Sequence, residues 1–183
     1  MWTGARASQD EVMEQSSLPC LDLLEATPDI LRGLMCELSS EDAQWKPAPD
    51  RFSVAEVLAH LSHSEGYCYR LRVDRFMTED MPELEPDEAQ MYLDLYRGRD
   101  AKDEFAHFEE QRETNIEYLR GLPAGTEDRR AFHKEAGEIT LAQMLHEWAL
   151  HDLGHIRQIA ELVRARRYQA GAGPLGESYQ LKP

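Results

Sequence analysis

Apolar residues recur along this chain three and four positions apart, the spacing of a helix face. Alternating apolar and polar runs of β-formers are almost absent. A first helical region is predicted over residues 18–38. Within it Thr27-Pro28 reads as a fresh N-terminus, with Thr27 as N-cap and Pro28 at the first helical position. Ile30, Leu31, Leu34, Met35 and Leu38 follow at helical spacing. After the turn KPAPDRF, Ser53-Val54-Ala55-Glu56 is a capping box that opens a second helix running to about Met77. Its core stripe is predicted to be Val54, Val57, Leu58, Leu61, Cys68 and Leu71. Residues 79–98 form an acidic connection with Pro82 and Pro86, with a short helix carrying Met91, Tyr92, Leu95 and Tyr96. The third helix, 100–120, shows Phe105, Phe108, Ile116 and Leu119 on its apolar face and ends at Gly121 and Pro123. A polar loop leads to a second capping box, Thr140-Leu141-Ala142-Gln143, and a fourth helix to about Tyr168.

Four long amphipathic helices predict an all-α fold, a four-helix bundle over residues 18–168. Residues 1–17 read as an N-terminal extension and 169–183 as a tail. The long connection between helices two and three means that an up-down-up-down arrangement does not follow.

Composition narrows the class. A chain of 183 residues with 42% apolar and 30% charged side chains is globular, and long enough to bury a core without disulfides. No stretch approaches the roughly 18 apolar residues of a membrane span. MWTGARASQDEVMEQSS has no apolar h-region, so a secretory signal is not expected. Cys20, Cys36 and Cys68 form no CxxC and read as reduced thiols, which predicts a cytoplasmic protein. A formal charge of −15 repels phosphate backbones and anionic lipid and mildly favours cations, so neither nucleic acid nor membrane is expected as a partner.

The candidate chemistry lies in TLAQMLHEWALHDLGHIRQIAELV. On a helical wheel Leu145, Trp148, Ile159 and Val163 make its core stripe. His155 and Asp152 fall inside that stripe and His151 on its edge, while His146 faces solvent. His151 and His155 stand one turn apart, so both rings can reach one ion. On the second helix His60 flanks the stripe, His63 lies further out, and Glu65 falls on the apolar side, where a carboxylate needs a partner.

A single histidine on a core face is more often a hydrogen-bonded core residue than a ligand. Two imidazoles and a carboxylate on one stripe weigh differently, because burying them without a common partner costs several kcal/mol. One divalent ion held by His60, His151 and His155 supplies that partner. Zinc or nickel is expected, and iron also suits three imidazoles. Asp152, Glu65 and His63 are candidates to support the ligands from behind. For Asp152 a salt bridge to an arginine of a neighbouring helix is equally open. His107, His133 and His146 read as solvated. Trp148, Tyr67 and Tyr69 read as core or pocket wall, and Cys68 as a small core residue. No basic cluster in the motif regions awaits an anionic cosubstrate, although Arg70, Arg72 and Arg157 are near enough to consider for one.

RFSVAEVLAHLSHSEG and LHEWALHDLGHIRQI, with the helix order and the leading LLEATPDILRGL, resemble the DinB/YfiT-like metalloenzyme family in its DinB-like (DinB_2) branch. The resemblance covers residues 18–168. It implies an up-down-down-up four-helix bundle and a divalent ion, nickel or zinc or a similar metal, on three histidines. Those are His60 in AHLSH and His151 and His155 in HDLGH. Family members often form dimers. Some are thiol S-transferases using bacillithiol, and related proteins use mycothiol or glutathione. The expected function is therefore a metal-dependent transferase joining a low-molecular-weight thiol to a small electrophile. A metal-dependent hydrolase would have the same ligands, and a non-catalytic metal-binding or stress-response module is the reading from another class.

Overall fold

A computed structural model describes residues 18–86 and 93–179. The N-terminal extension, Met91 and Tyr92 lie outside the described residues, as do 180–183. The helices are α1 Leu21–Met35, α2 Ser40–Gln44, α3 Val54–His63, α4 Leu71–Thr78, α5 Leu93–Tyr96, α6 Ala101–Arg120 and α7 Leu141–Val163. A π-helical segment, Ser64–Arg70, joins α3 to α4 without a break. α1, α3–α4, α6 and α7 make the bundle.

Cross-helix contacts give the direction of each helix. Ser62 meets His107, Glu65 meets Arg112, and Arg70 meets Asn115, so α3–α4 and α6 run parallel. Cys20 meets His146 and Thr27 meets Asp152, so α1 and α7 are parallel too. His60 meets His151 while Tyr69, further along, meets Glu147, so α3 and α7 are antiparallel. Arg32 meets Glu109 and Arg120 meets Glu25, so α1 and α6 are antiparallel. The bundle is thus up-down-down-up, and the connection between α4 and α6 must return along its length.

Both capping boxes are made. Ser53 Oγ accepts from the Glu56 amide and the Glu56 carboxylate accepts from Ser53 N, at 3.2 and 2.9 Å. Thr140 and Gln143 do the same for α7. Asp100 caps α6.

Three expectations are corrected. Thr27-Pro28 does not start a helix: Pro28 sits inside α1. Thr27 is buried, its hydroxyl 3.0 Å from Leu23 O and 2.8 Å from Asp152 Oδ2. Pro28 has no N–H to give to Leu24 O, and that carbonyl accepts from Arg112 Nη1 instead. Leu71 is not core but half exposed, at 50%, and Cys68 is only partly buried. The wider π turn advances the stripe by a residue, so Tyr69, Val73 and Phe76 take the buried positions. The loop before α7 and the acidic connection are not wholly irregular. β2 Arg130–His133 and β3 Gly137–Thr140 form an antiparallel hairpin, and β1 Glu83–Leu84 adds to β2 in parallel. Gly137, at φ 81°, supplies the left-handed turn. Beyond α7 the chain continues as a π turn, Arg164–Tyr168, and 3₁₀ turns from Ala170 to Tyr179.

Two apolar clusters fill the bundle. One contains Leu24, Tyr69, Phe76, Leu119, Leu145 and Trp148; the other contains Leu31, Leu58, Leu61, Phe108, Ile159 and Leu162. In sequence along every helix, a buried polar residue falls between the two: Thr27, Glu65, Arg112 and Asp152. No helix among the described residues is long and apolar enough to cross a membrane.

Candidate metal centre

His60 is carried by α3, two turns beyond its capping box, and is 6% exposed. His151 and His155 project from consecutive turns of α7 and are half-buried. Antiparallel packing of α3 on α7 brings the three rings together, with centroid separations of 5.1, 4.7 and 4.4 Å. One nitrogen from each lies within 4.8 Å of the other two. The Nε2 atoms of His60 and His151 are 3.0 Å apart.

Each ring's remaining nitrogen shows which atom is free. His155 Nδ1 lies 2.9 Å from Gln158 Oε1, an acceptor only, so Nδ1 carries the proton and Nε2 offers a lone pair. His60 Nδ1 lies 3.4 Å from the Tyr96 hydroxyl, a long contact that also leaves Nε2 inward. His151 Nδ1 is buried without a hydrogen-bond partner. Its nearest anionic oxygen is Asp152 Oδ1 at 3.8 Å, beyond hydrogen-bond range.

The electrostatics keep His60 and His155 neutral. Burial, and then the neighbouring His155, His151 and His63, push His60 down to about 3. Burial and His151 push His155 down to about 4, against a smaller opposing effect of Gln158. Neutral imidazoles converging on one point are a donor set for a cation. An ion about 2.0–2.1 Å from each nitrogen accommodates donors roughly 3 Å apart. The orphaned Nδ1 of His151 agrees with ligation through its Nε2. The residues therefore fit a divalent metal. With no protein carboxylate or thiolate in the cluster, and His151 and His155 half-buried, coordination positions stay open to a small molecule.

Behind the cluster, Asp152 is fully buried and Glu65 nearly so. Both bind Arg112 of α6, at 2.7 and 2.8 Å. The salt-bridge reading of Asp152 is thus realised, and Arg112 is the arginine of the neighbouring helix. Burial would raise the Asp152 carboxyl, but the Arg112 guanidinium and the other donors hold it below its ordinary value. His63 does not join the three rings. It stacks on Tyr67 at 5.0 Å and lines a cavity of about 230 Å³ with Ser62, Tyr96 and Arg99.

The remaining expectations sort by contact. His107 is exposed but bonds Ser62 Oγ at 3.1 Å, and His146 lies 3.0 Å from Cys20 Sγ. His133 is partly buried, not solvated, and its Nδ1 accepts from the amides of Glu135 and Ala136 in the hairpin turn. Trp148 and Tyr69 stack in the core at 4.5 Å, and the Tyr69 ring meets His151 edge-on at 5.3 Å. Arg70 is occupied by Asp74, Asn115 and the Tyr118 ring, and Arg72 by Glu85 O. Three contributors were not singled out as site residues from the sequence: Tyr96, Gln158 and Arg112. Gln158 stands three residues after His155, and Arg112 stands four from both Phe108 and Ile116 on an apolar face. Those spacings were the available signals. Tyr96 had none, because its approach to His60 depends on how the connection folds back.

The model of the DinB superfamily matches residues 23–159. A protein of Oceanobacillus iheyensis named "Putative metal-dependent hydrolase" is 22% identical over 144 residues, 78% of this chain and 83% of that protein. Among solved structures, YfiT from Bacillus subtilis, described as "a probable metal-dependent hydrolase with an unusual four-helix bundle topology", superposes with a TM-score of 0.71. That match covers 89% of this chain and 92% of that one at 22% identity, a likeness of fold.

Proposed function

The chain belongs to the DinB superfamily, and from that membership and the three-imidazole cluster we propose that it is a divalent-metal-dependent enzyme of the hydrolytic kind. The single observation behind this reading is the convergence of His60, His151 and His155, with the His60 and His155 rings neutral and coordination positions open. A divalent ion held there would polarise a carbonyl or activate water near neutral pH. The protein's own part is to hold three Nε2 lone pairs at one point, to keep His60 and His155 unprotonated by burial, and to leave one face open. Two similar proteins, one named "Putative metal-dependent hydrolase" and one described as "a probable metal-dependent hydrolase", support hydrolysis over other uses of the same ligands. Transfer of a thiol to an electrophile would use the same cluster. An anionic thiol needs a cation nearby: of the three candidate arginines, Arg70 and Arg72 are committed to partners, while Arg157 is exposed on α7, two residues beyond His155.

The test is turnover by zinc- and nickel-loaded protein on a panel of small esters, amides and lactones, with and without glutathione, bacillithiol and mycothiol. Hydrolysis without thiol, abolished by chelation and by His155→Ala, is the expected result. Turnover that requires a thiol would replace hydrolase with transferase. Metal-independent turnover, unchanged in His155→Ala, would overturn the reading.

A further inference from the structure

Arg112 reaches all four bundle helices, and every N–H of its guanidinium is used. Nε donates to Glu65 Oε1 at 2.8 Å. Nη1 donates to Leu24 O at 2.6 Å and Asp152 Oδ2 at 2.7 Å. Nη2 donates to Glu65 Oε2 at 2.8 Å and Asp152 Oδ1 at 3.2 Å. Asn115 gives a further hydrogen bond to Glu65, and Thr27 to Asp152, at 3.0 and 2.8 Å. The side chains of Glu65, Arg112 and Asp152 are 1, 2 and 0% exposed.

This network is costly as a packing solution. Similar-sized apolar residues are often as stable as a buried ion pair or more so. It is also unbalanced: two carboxylates share one guanidinium, leaving a net negative charge in the middle of the bundle. Asp152 follows His151 directly in α7, and its Oδ1 faces the partnerless Nδ1 of that ring. A carboxylate at 3.8 Å favours the tautomer with the proton on Nδ1, and that tautomer points the Nε2 lone pair at the cluster.

We propose that Glu65, Arg112 and Asp152 are positioning residues for the metal centre. Asp152 sets the tautomer of His151 and supplies negative charge beside the bound cation, Arg112 fixes the Asp152 carboxylate, and Glu65 fixes Arg112. Pro28 takes part from α1, because the carbonyl it releases at Leu24 holds Nη1. The inference rests on the metal-enzyme reading.

The test is zinc affinity by competition with a chromophoric chelator, together with the visible spectrum of the cobalt-loaded protein. The proteins are wild type, Asp152→Asn, Glu65→Gln and Leu31→Ala, the last a core truncation in the cluster away from the network. Asp152→Asn is expected to bind zinc about 10–100-fold more weakly, with a shifted cobalt spectrum. Glu65→Gln keeps the side-chain shape and is expected to show a smaller loss. Leu31→Ala should lose stability and keep wild-type affinity and spectrum. If Asp152→Asn does not fold, Glu65→Gln decides. Wild-type affinity and spectrum in the folded variants would overturn the inference while leaving the metal centre standing. A wild type that binds no zinc or cobalt would remove the metal-enzyme reading itself, and the inference with it.

Discussion

His60 and His151 face each other Nε2 to Nε2 at 3.0 Å across the antiparallel packing of α3 and α7. Two imidazole lone pairs repel at that distance unless a proton or a cation lies between them. Burial and the neighbouring rings disfavour the added proton that would make His60 cationic, and a neutral ring that puts its own proton on Nε2 gives up that lone pair. A metal ion removes the conflict for both, and His155 adds the third donor. This one contact ties the helix order to the chemistry, because the packing of α3 antiparallel to α7 places residue 60 opposite residues 151 and 155.

The metal-free protein should lose stability in mild acid. His60 and His155 have folded pKa values of about 3 and 4, below the ordinary 6.5. The unfolded chain therefore binds more protons. Their contribution is fully present above pH 6.5 and is lost as pH falls from there toward 4 and then 3. At pH 5 the loss from one uncoupled histidine is about 2 kcal/mol. Urea midpoints of metal-free protein at pH 7.5 and 5 should separate more in wild type than in His60→Gln or His155→Gln. Equal separations would contradict the assignment of neutral buried rings.

Zinc should stabilise the native state by mass action. At a free concentration 100 times Kd the gain is about 2.7 kcal/mol, and chelation should reverse it. Thermal midpoints with and without zinc should shift in wild type and stay fixed in His151→Ala. A shift of equal size in the variant would place the binding elsewhere.

The Arg112 network separates stability from metal binding. Arg112→Met alone leaves two buried carboxylates without their cation and should cost about 3–5 kcal/mol. The triple variant Glu65→Leu, Arg112→Met, Asp152→Leu removes every charge and should recover most of that stability without recovering zinc affinity. Chemical denaturation and zinc competition on the same samples read the two effects. Recovery of both would show that the network serves packing alone.

Tyr96→Phe removes the hydroxyl 3.4 Å from His60 Nδ1 and keeps the ring. Stability should change by about 1 kcal/mol or less. The cobalt spectrum should shift, because one ligand loses its orientation. An unchanged spectrum would remove Tyr96 from the support of His60.

α7 was the most legible part of the chain. It is a regular helix between its capping box and Val163, so a wheel at 100° per residue placed Asp152 in the core beside Trp148 and the two histidines on the same side. α3 was legible as far as His63 for the same reason. Beyond it the π segment moved Leu71 outward and Tyr69 inward, and α-helical periodicity carries no sign of that extra residue. Thr27-Pro28 misled because the pair is a common helix start. Here a guanidinium from another helix satisfies the carbonyl that Pro28 leaves open, and such long-range compensation has no local signature. The Glu65 carboxylate on an apolar face did announce a missing partner. Arg112 stood on the apolar stripe of α6, hidden among Glu109, Glu110 and Glu113, which are surface charges of the same segment.

The most direct measurement is the metal content of untagged wild type and His151→Ala by elemental mass spectrometry, as purified and after reloading with zinc or nickel. The account predicts about one equivalent of a divalent metal in wild type and its loss in the variant. Wild-type protein that stays metal-free after reloading, or a variant that retains the full equivalent, would contradict a metal centre built on His60, His151 and His155.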